Sequence, residues 1–265
     1  MPWGPRPDRR EDGAMPTRHP SLQQPPIGFA HRGARAHAPE NTVEAFSLAL
    51  RLGATGLETD AWVTADGVAV LDHDGLVGRR PRRRRISEVT RADLPPEVPS
   101  AAELVPLLEG DVHLSVDVKD PAAAVPLIDA LAEGDPTRLA RVWLCHDDHD
   151  LMLSWREHAR PVRLVDSTRL KALAQGPERH AARLRTLGID AVNLHHSDWT
   201  GGLVTLYHRF GVRAWGWDAQ HARILDGLLD SGIDAVFSDH TDRMVDALGR
   251  ARSPVPVPPG VDPGI

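Results

Sequence analysis

From Ile27 onward, short apolar runs of strand length alternate with longer amphipathic ones, and this alternation limits the possible folds more than any other feature. Strands separated by helices cannot pair through tight hairpins. Each crossover brings the chain back parallel to its starting direction, which builds a parallel sheet. The strand-like runs are Ile27–His31, Gly56–Val63, His113–Val118, Arg141–Cys145, Val162–Asp166, Ala191–Leu194, Val212–Trp217 and Ala235–Ser238. Helices are predicted over Asn41–Arg51, Ala101–Leu108, Ala122–Ala132, Asp150–His158, Glu178–Leu187, Gly202–Phe210 and His221–Asp230. The first carries its own punctuation: Asn41 or Thr42 as N-cap, Val43, Phe46 and Leu50 on one stripe, and Gly53 as the stop. The pattern predicts an α/β fold, a (β/α)8 TIM barrel, with one additional arm, Val68–Asp72, returning as a short β-hairpin after the second strand. A chain of 265 residues suits one such barrel. No GxGxxG turn opens a helix, so a dinucleotide fold has little support.

Barrels of this kind place their chemistry where the strands end. His31 ends the first predicted strand, Glu58 and Asp60 lie late in the second, and Asp117 and Lys119 end the third. Trp217 and Asp218 end the seventh, and Asp239 ends the eighth. Glu58 and Asp60, two apart in a strand, share a face, where two carboxylates repel unless a cation lies between them. Asp117 on the neighbouring strand adds a third. Three carboxylates with no cysteine or clustered histidine beside them favour one divalent cation of the Mg2+ or Ca2+ kind over Zn2+. Asp66-Gly67 between two apolar runs predicts a two-residue hairpin turn, which would set His73 opposite Asp60. His31 and His73 then form a base and acid pair suited to hydrolysis near neutral pH. Arg32 offers a guanidinium fork that matches phosphate oxygens. Lys119 shares a face with Asp117; its ordinary reading is an ion pair with a barrel acid, and the preferred one a phosphate contact.

Other motifs carry less. The basic run Arg79–Arg85 reads as a solvated loop, with attraction of anionic substrate or lipid headgroups as its functional alternative. In Cys145-His146-Asp147-Asp148-His149, Cys145 reads as a small buried strand residue and Asp147 or Asp148 as a helix cap, against a nucleophile or metal site. His195-His196-Ser197-Asp198 lies where substrate contact is expected but makes a poor serine triad, since adjacent residues rarely point at one another. Trp215 and Trp217 share a face; core packing is the simpler role, and one of them floors a pocket in the functional reading. Residues 1–25 and 251–265, rich in Pro and without periodicity, read as disordered tails around a domain spanning 26–250.

A net charge of -6 argues against nucleic acid as a partner. No apolar run reaches the roughly 18 residues of a membrane span, and the N-terminus lacks the apolar middle of a secretory signal. One cysteine excludes an internal disulfide. A cytoplasmic location is expected, and the residues do not fix an oligomeric state.

The motifs His31-Arg32-Gly33, Pro39-Glu40-Asn41-Thr42, Ala45-Phe46, Gly53-Ala54, Glu58-x-Asp60, Thr64-x-Asp66-Gly67 and His73-Asp74 come in an order that resembles the glycerophosphodiester phosphodiesterases. Asp117-x-Lys119, Trp215, Gly232-Ile233-Asp234 and Ser238-Asp239 extend the likeness to roughly residues 27–245. That family shares its barrel with the phosphatidylinositol-specific phospholipases C. The resemblance implies cleavage of a small-molecule glycerophosphodiester into sn-glycerol 3-phosphate and an alcohol. It implies Glu58, Asp60 and Asp117 as metal ligands, His31 and His73 as the acid–base pair, and Arg32 and Lys119 on the phosphate. Trp217 would contact substrate, and Glu40 and Asn41 would brace the first loop. Two departures stand out: Asp117 where most members carry Glu, and Trp215-Gly216-Trp217-Asp218 where the family usually reads Trp-Thr-Val-Asn. Related alternatives are a lysophospholipase D or a sphingomyelinase D-like enzyme; against the latter, this chain lacks the cysteine pair expected in the loop after His73. A non-catalytic barrel binding phosphate esters is the alternative of another class, but binding alone needs no pair of proton-transfer groups.

Overall fold

The computed structural model describes residues 19–78 and 81–252. The elements run β1 (Ile27–Ala30), α1 (Val43–Arg51), β2 (Gly56–Val63), β3 (Ala69–Leu71), β4 (Leu76–Val77), β5 (Arg84–Arg85), β6 (His113–Val118), α2 (Ala124–Ala132), β7 (Val142–His146) and α3 (His149–His158). They continue through β8 (Arg163–Ser167), α4 (Pro177–Leu187), β9 (Ala191–His195), α5 (Gly201–Arg209), β10 (Arg213–Trp217), α6 (Ala222–Asp230), β11 (Ala235–Ser238) and α7 (Thr241–Arg252). Parallel pairing runs β1-β11-β10-β9-β8-β7-β6-β2, and β2 pairs back onto β1. The circle closes through eight parallel strands with helices between them, the TIM barrel the alternation predicted.

Side-chain alternation sorts the strands into two cores. Phe29, Trp143, Trp215 and Phe237 fill the barrel interior, with Phe29 and Phe237 stacked at 4.7 Å between ring centroids. The outward residues pack beneath the helices. Gly28 shows how tight that layer is, since a Cβ there would lie 2.5 Å from Cδ1 of Leu248 on α7. Helix α7 was not among the predicted helices, although Met244, Ala247 and Leu248 form its buried stripe.

Three expectations need correction. The segment Ala101–Leu107 is a 3-10 helix rather than an α-helix, with Pro106, which has no N–H to donate, inside it. The hairpin turn spans three residues, because β2 and β3 pair Ala61 with Leu71, Trp62 with Val70 and Val63 with Ala69. Thr64 closes it: its Oγ1 donates to Asp66 Oδ1 at 2.6 Å and accepts from the Val68 N–H at 3.0 Å. Only Gly67 takes positive φ there, at 83°. The register therefore slips by one residue, and Asp72 rather than His73 stands across from Asp60, its N–H donating to the Asp60 carbonyl at 3.1 Å. Third, part of the predicted N-terminal tail is held on the barrel: the His19 N–H donates to the Asp230 carbonyl at 3.1 Å, and Ser21 Oγ to Asp234 Oδ1 at 2.7 Å. Residues 1–18, most of 251–265, and Arg79 and Arg80 of the basic run lie outside the described residues.

Candidate active site

β2 and β6 lie side by side with Asp60 level with Asp117 and Glu58 level with Ser115. All three acids point to the interior at the strand ends, and a ligand oxygen from each lies within 4.8 Å of the other two. Glu58 and Asp60 are buried, and Asp117 is partly so. Burial pushes the Glu58 carboxyl well above the ordinary carboxylate range; His31 opposes the shift, and Asp60 and Asp117 add to it. An all-oxygen donor set with more negative charge than water can reach is one that a divalent cation would neutralise.

Two cations of the protein already lean on this cluster. Lys119 Nζ stands 3.1 Å from Asp117 Oδ2 and 3.2 Å from Asp60 Oδ1. Burial works against its charge, but Asp117 and Asp60 outweigh it and hold the ammonium above its usual range. Arg32 donates its N–H to Glu58 Oε2 at 2.8 Å, places Nε 3.2 Å from Asp60 Oδ2, and reaches Glu40 through Nη1 at 3.1 Å. To do so its backbone sits in the left-handed region, at φ 52°, followed by Gly33 at φ 79°. A Cβ on Gly33 would come within 2.7 Å of Ala45, so only glycine lets this loop close on α1. Asn41, also at positive φ, donates Nδ2 to Asp60 Oδ2 at 3.2 Å and accepts from Thr59 Oγ1 at 2.7 Å.

His31 follows β1 directly. Its Nδ1 lies 2.6 Å from Asp239 Oδ1, and its Nε2 faces Glu58 Oε2 at 3.8 Å. Burial lowers its pKa, but Glu58 and Asp239 together raise it above the ordinary histidine value. His73 stands apart. It is half-buried beyond β3, with Nδ1 2.9 Å from Asp74 Oδ1, and among the described residues it does not line the cleft that His31 lines.

That cleft, about 380 Å3 in volume, runs from Glu58 and Asp117 past Asn193 and Arg169 to Trp217 and Asp218. Trp217 lines it, as one sequence reading had it, whereas Trp215 is fully buried in the interior core. Arg169 escaped the sequence reading. Its guanidinium lies 5.5 Å from the Trp217 ring, and its Nε donates to Asp198 at 2.8 Å. Its position just past a barrel strand was the signal that could have found it. His195, at the same rim, does contact its near neighbour: Nδ1 lies 2.7 Å from Ser197 Oγ and Nε2 3.2 Å from Asp218. Because Nδ1 also accepts the Ser197 N–H at 3.2 Å, the contact serves as a cap of the short helix that follows. Cys145 is buried, and burial pushes its thiol well above the ordinary range, which removes it as a nucleophile. Asp148 caps α3 by accepting the Leu151 N–H.

Comparison with known proteins fits this geometry. The profile of the Glycerophosphoryl diester phosphodiesterase family matches residues 31–142, a stretch that begins at His31 and includes His73, the three acids and Lys119. A relative from Mycobacterium tuberculosis named "Probable glycerophosphodiester phosphodiesterase 2" is 26% identical, over 89% of this chain and 96% of its own length. Both matches support the glycerophosphodiester phosphodiesterase family. Glycerophosphodiester phosphodiesterase 1 of Rattus norvegicus is 54% identical, but over only 19% of this chain and 15% of its own. Two solved members of the fold superpose on most of the barrel at low identity. The Thermotoga maritima glycerophosphodiester phosphodiesterase has a TM-score of 0.72 at 19% identity, covering 83% of this chain and 97% of its own. The Oleispira antarctica phosphodiesterase, solved in complex with the product sn-glycerol-3-phosphate, has a TM-score of 0.74 at 20% identity, covering 84% and 97%.

Proposed function

We propose that this chain is a metal-dependent phosphoric diester hydrolase that cleaves glycerophosphodiesters to sn-glycerol 3-phosphate and an alcohol. The observation that carries the reading is the meeting of Glu58, Asp60 and Asp117 within 4.8 Å beside the Asp239-anchored His31. The names of the relatives and the product complex of the Oleispira antarctica phosphodiesterase support the substrate class.

The three acids would hold one divalent cation, Mg2+ or Ca2+, since their donors are all oxygen. When bound, such an ion would supply Lewis-acid charge that offsets the phosphate's negative charge and eases loss of the attacking group's proton. Everything else comes from the chain. Asp239 fixes the His31 ring through Nδ1, so Nε2 is the nitrogen that exchanges a proton at the cleft. The resemblance to the family gives His73 the second proton-transfer role, although it does not line the cleft that His31 lines. Arg32 and Lys119 supply positive charge on either side of Asp60, and both sit where a phosphate above the acids would meet them. Trp217 gives the departing alcohol an apolar wall. Among the described residues no helix is long and apolar enough to cross a membrane. We assign a small-molecule diester rather than nucleic acid as partner, and a cytoplasmic location. Purified protein with Mg2+ or Ca2+ should release glycerol 3-phosphate from glycerophosphocholine. Release that persists both with a chelator and in His31→Ala would refute the reading.

A further inference from the structure

A second cluster of ligand-type side chains lies on the opposite side of the barrel wall from the interior. Val165 of β8 faces inward, so its neighbour Asp166 faces outward, towards α3 and α4. There His149 at the start of α3 places Nε2 3.1 Å from Asp166 Oδ1, and His180 within α4 places Nε2 2.9 Å from Asp166 Oδ2. Donor atoms of all three residues lie within 4.8 Å of one another.

We propose that His149, Asp166 and His180 form a second metal site, for a borderline transition ion of the Zn2+ class, that ties α3 and α4 to the barrel wall. Two imidazoles and one carboxylate suit Zn2+ and its neighbours, not the Mg2+ or Ca2+ expected at the all-oxygen cluster. Spacing agrees. Donors bonded at about 2.0–2.1 Å around one tetrahedral ion stand roughly 3.3 Å apart, a few tenths beyond the observed contacts. Asp166 is only 2% exposed, and its Oδ2, 2.9 Å from His180 Nε2, makes no well-aligned hydrogen bond.

The supporting shell is also in place. A metal-bound histidine is normally held by a partner on its other ring nitrogen, and His180 Nδ1 lies 2.9 Å from Tyr207 Oη. Metal on Nε2 leaves the proton on Nδ1, which donates to that oxygen. Access is open on the His149 side, where Asp147, Asp148 and Asp150 line a surface hollow with Arg183 as its one opposing charge. The site shares no residue with the acidic cluster, and its occupancy is independent of the reaction there.

The test uses the full chain and Zn2+ alone. Wild type, stripped by chelator and dialysed, should bind one Zn2+ in calorimetry that His149→Ala and His180→Ala both lose, while Asp117→Asn keeps it. Co2+ at the same site should give the strong visible absorption of a tetrahedral ion, again lost in both histidine variants. Tyr207→Phe, which keeps every ligand, should weaken binding about 10- to 100-fold. Circular dichroism establishes that each variant is folded. If a folded His149→Ala or His180→Ala protein binds Zn2+ as the wild type does, or if wild type binds none, the assignment is wrong and the three residues are an ion-paired network only.

Discussion

Nδ1 of His31 lies 2.6 Å from Oδ1 of Asp239, joining the first barrel strand to the last. The contact fixes the ring's tautomer and leaves Nε2 toward Glu58. Asp239→Asn should keep the fold and reduce kcat about 100-fold with little change in KM, as expected when a proton-transfer group loses its orienter. The pH profile gives the second readout. Glu58 and Asp239 raise the His31 pKa against burial, so removing one of them lowers it. The limb of the rate profile belonging to His31 should therefore move to lower pH, and an unmoved limb would assign it to another group.

The cation prediction concerns stability as well as rate. A ligand that binds only the folded state stabilises it by about 2.7 kcal/mol when its concentration is 100 times Kd. Mg2+ or Ca2+ should raise the thermal midpoint of the wild type in a concentration-dependent way. Asp60→Asn should abolish both this rise and the activity, since Asp60 is contacted by Arg32, Lys119 and Asn41 at once.

Arg169 stacks on Trp217 where both line the cleft, and it is held by Asp198 rather than by the three acids. Arg169→Ala should raise KM roughly tenfold while kcat changes far less, the pattern of a binding contact made equally in ground and transition states. An equal fall in kcat would place Arg169 at the reacting phosphate instead.

The lower end of the barrel yields a stability prediction. Burial and then the charges of Arg141 and Arg163 depress His113 to about 4 from 6.5, and its Nδ1 accepts the Trp143 Nε1–H at 3.2 Å. The native state thus resists a proton that the unfolded chain accepts. This contribution is fully present above pH 6.5 and is lost as pH falls from 6.5 through 4, by up to about 3 kcal/mol. Urea unfolding across that window should show a shallower decline for His113→Gln than for the wild type. Parallel declines would mean His113 keeps an ordinary pKa.

Most of the barrel could be read from the chain because each strand and helix carries its own local pattern. Asn41-Thr42 and Gly53 bracket α1 with no help from elsewhere. The misses share a different character. The hairpin slipped by one residue because Thr64, not the Asp-Gly pair alone, closes the loop. The docking of Ser21 depends on Asp234, more than two hundred residues away, as the anchoring of His31 depends on Asp239. Helix α7 did carry its stripe, in Met244, Ala247 and Leu248, inside the predicted domain, but no helix was predicted there. The acids at the site were legible because strand periodicity aligns Glu58 with Asp60 and the next strand supplies Asp117. His149 was seen only within its own sequence run, whereas its partners Asp166 and His180 come from β8 and α4.

The claim on which the account turns is that three carboxylates from β2 and β6 hold one cation beside His31. Calorimetric titration of Mg2+ or Ca2+, run beside glycerophosphocholine turnover, tests it most directly in the wild type, Glu58→Gln, Asp60→Asn and Asp117→Asn. The expected result is one ion per chain in the wild type, and loss of both binding and glycerol 3-phosphate release in each variant. Full turnover by a variant that no longer binds the ion would contradict it.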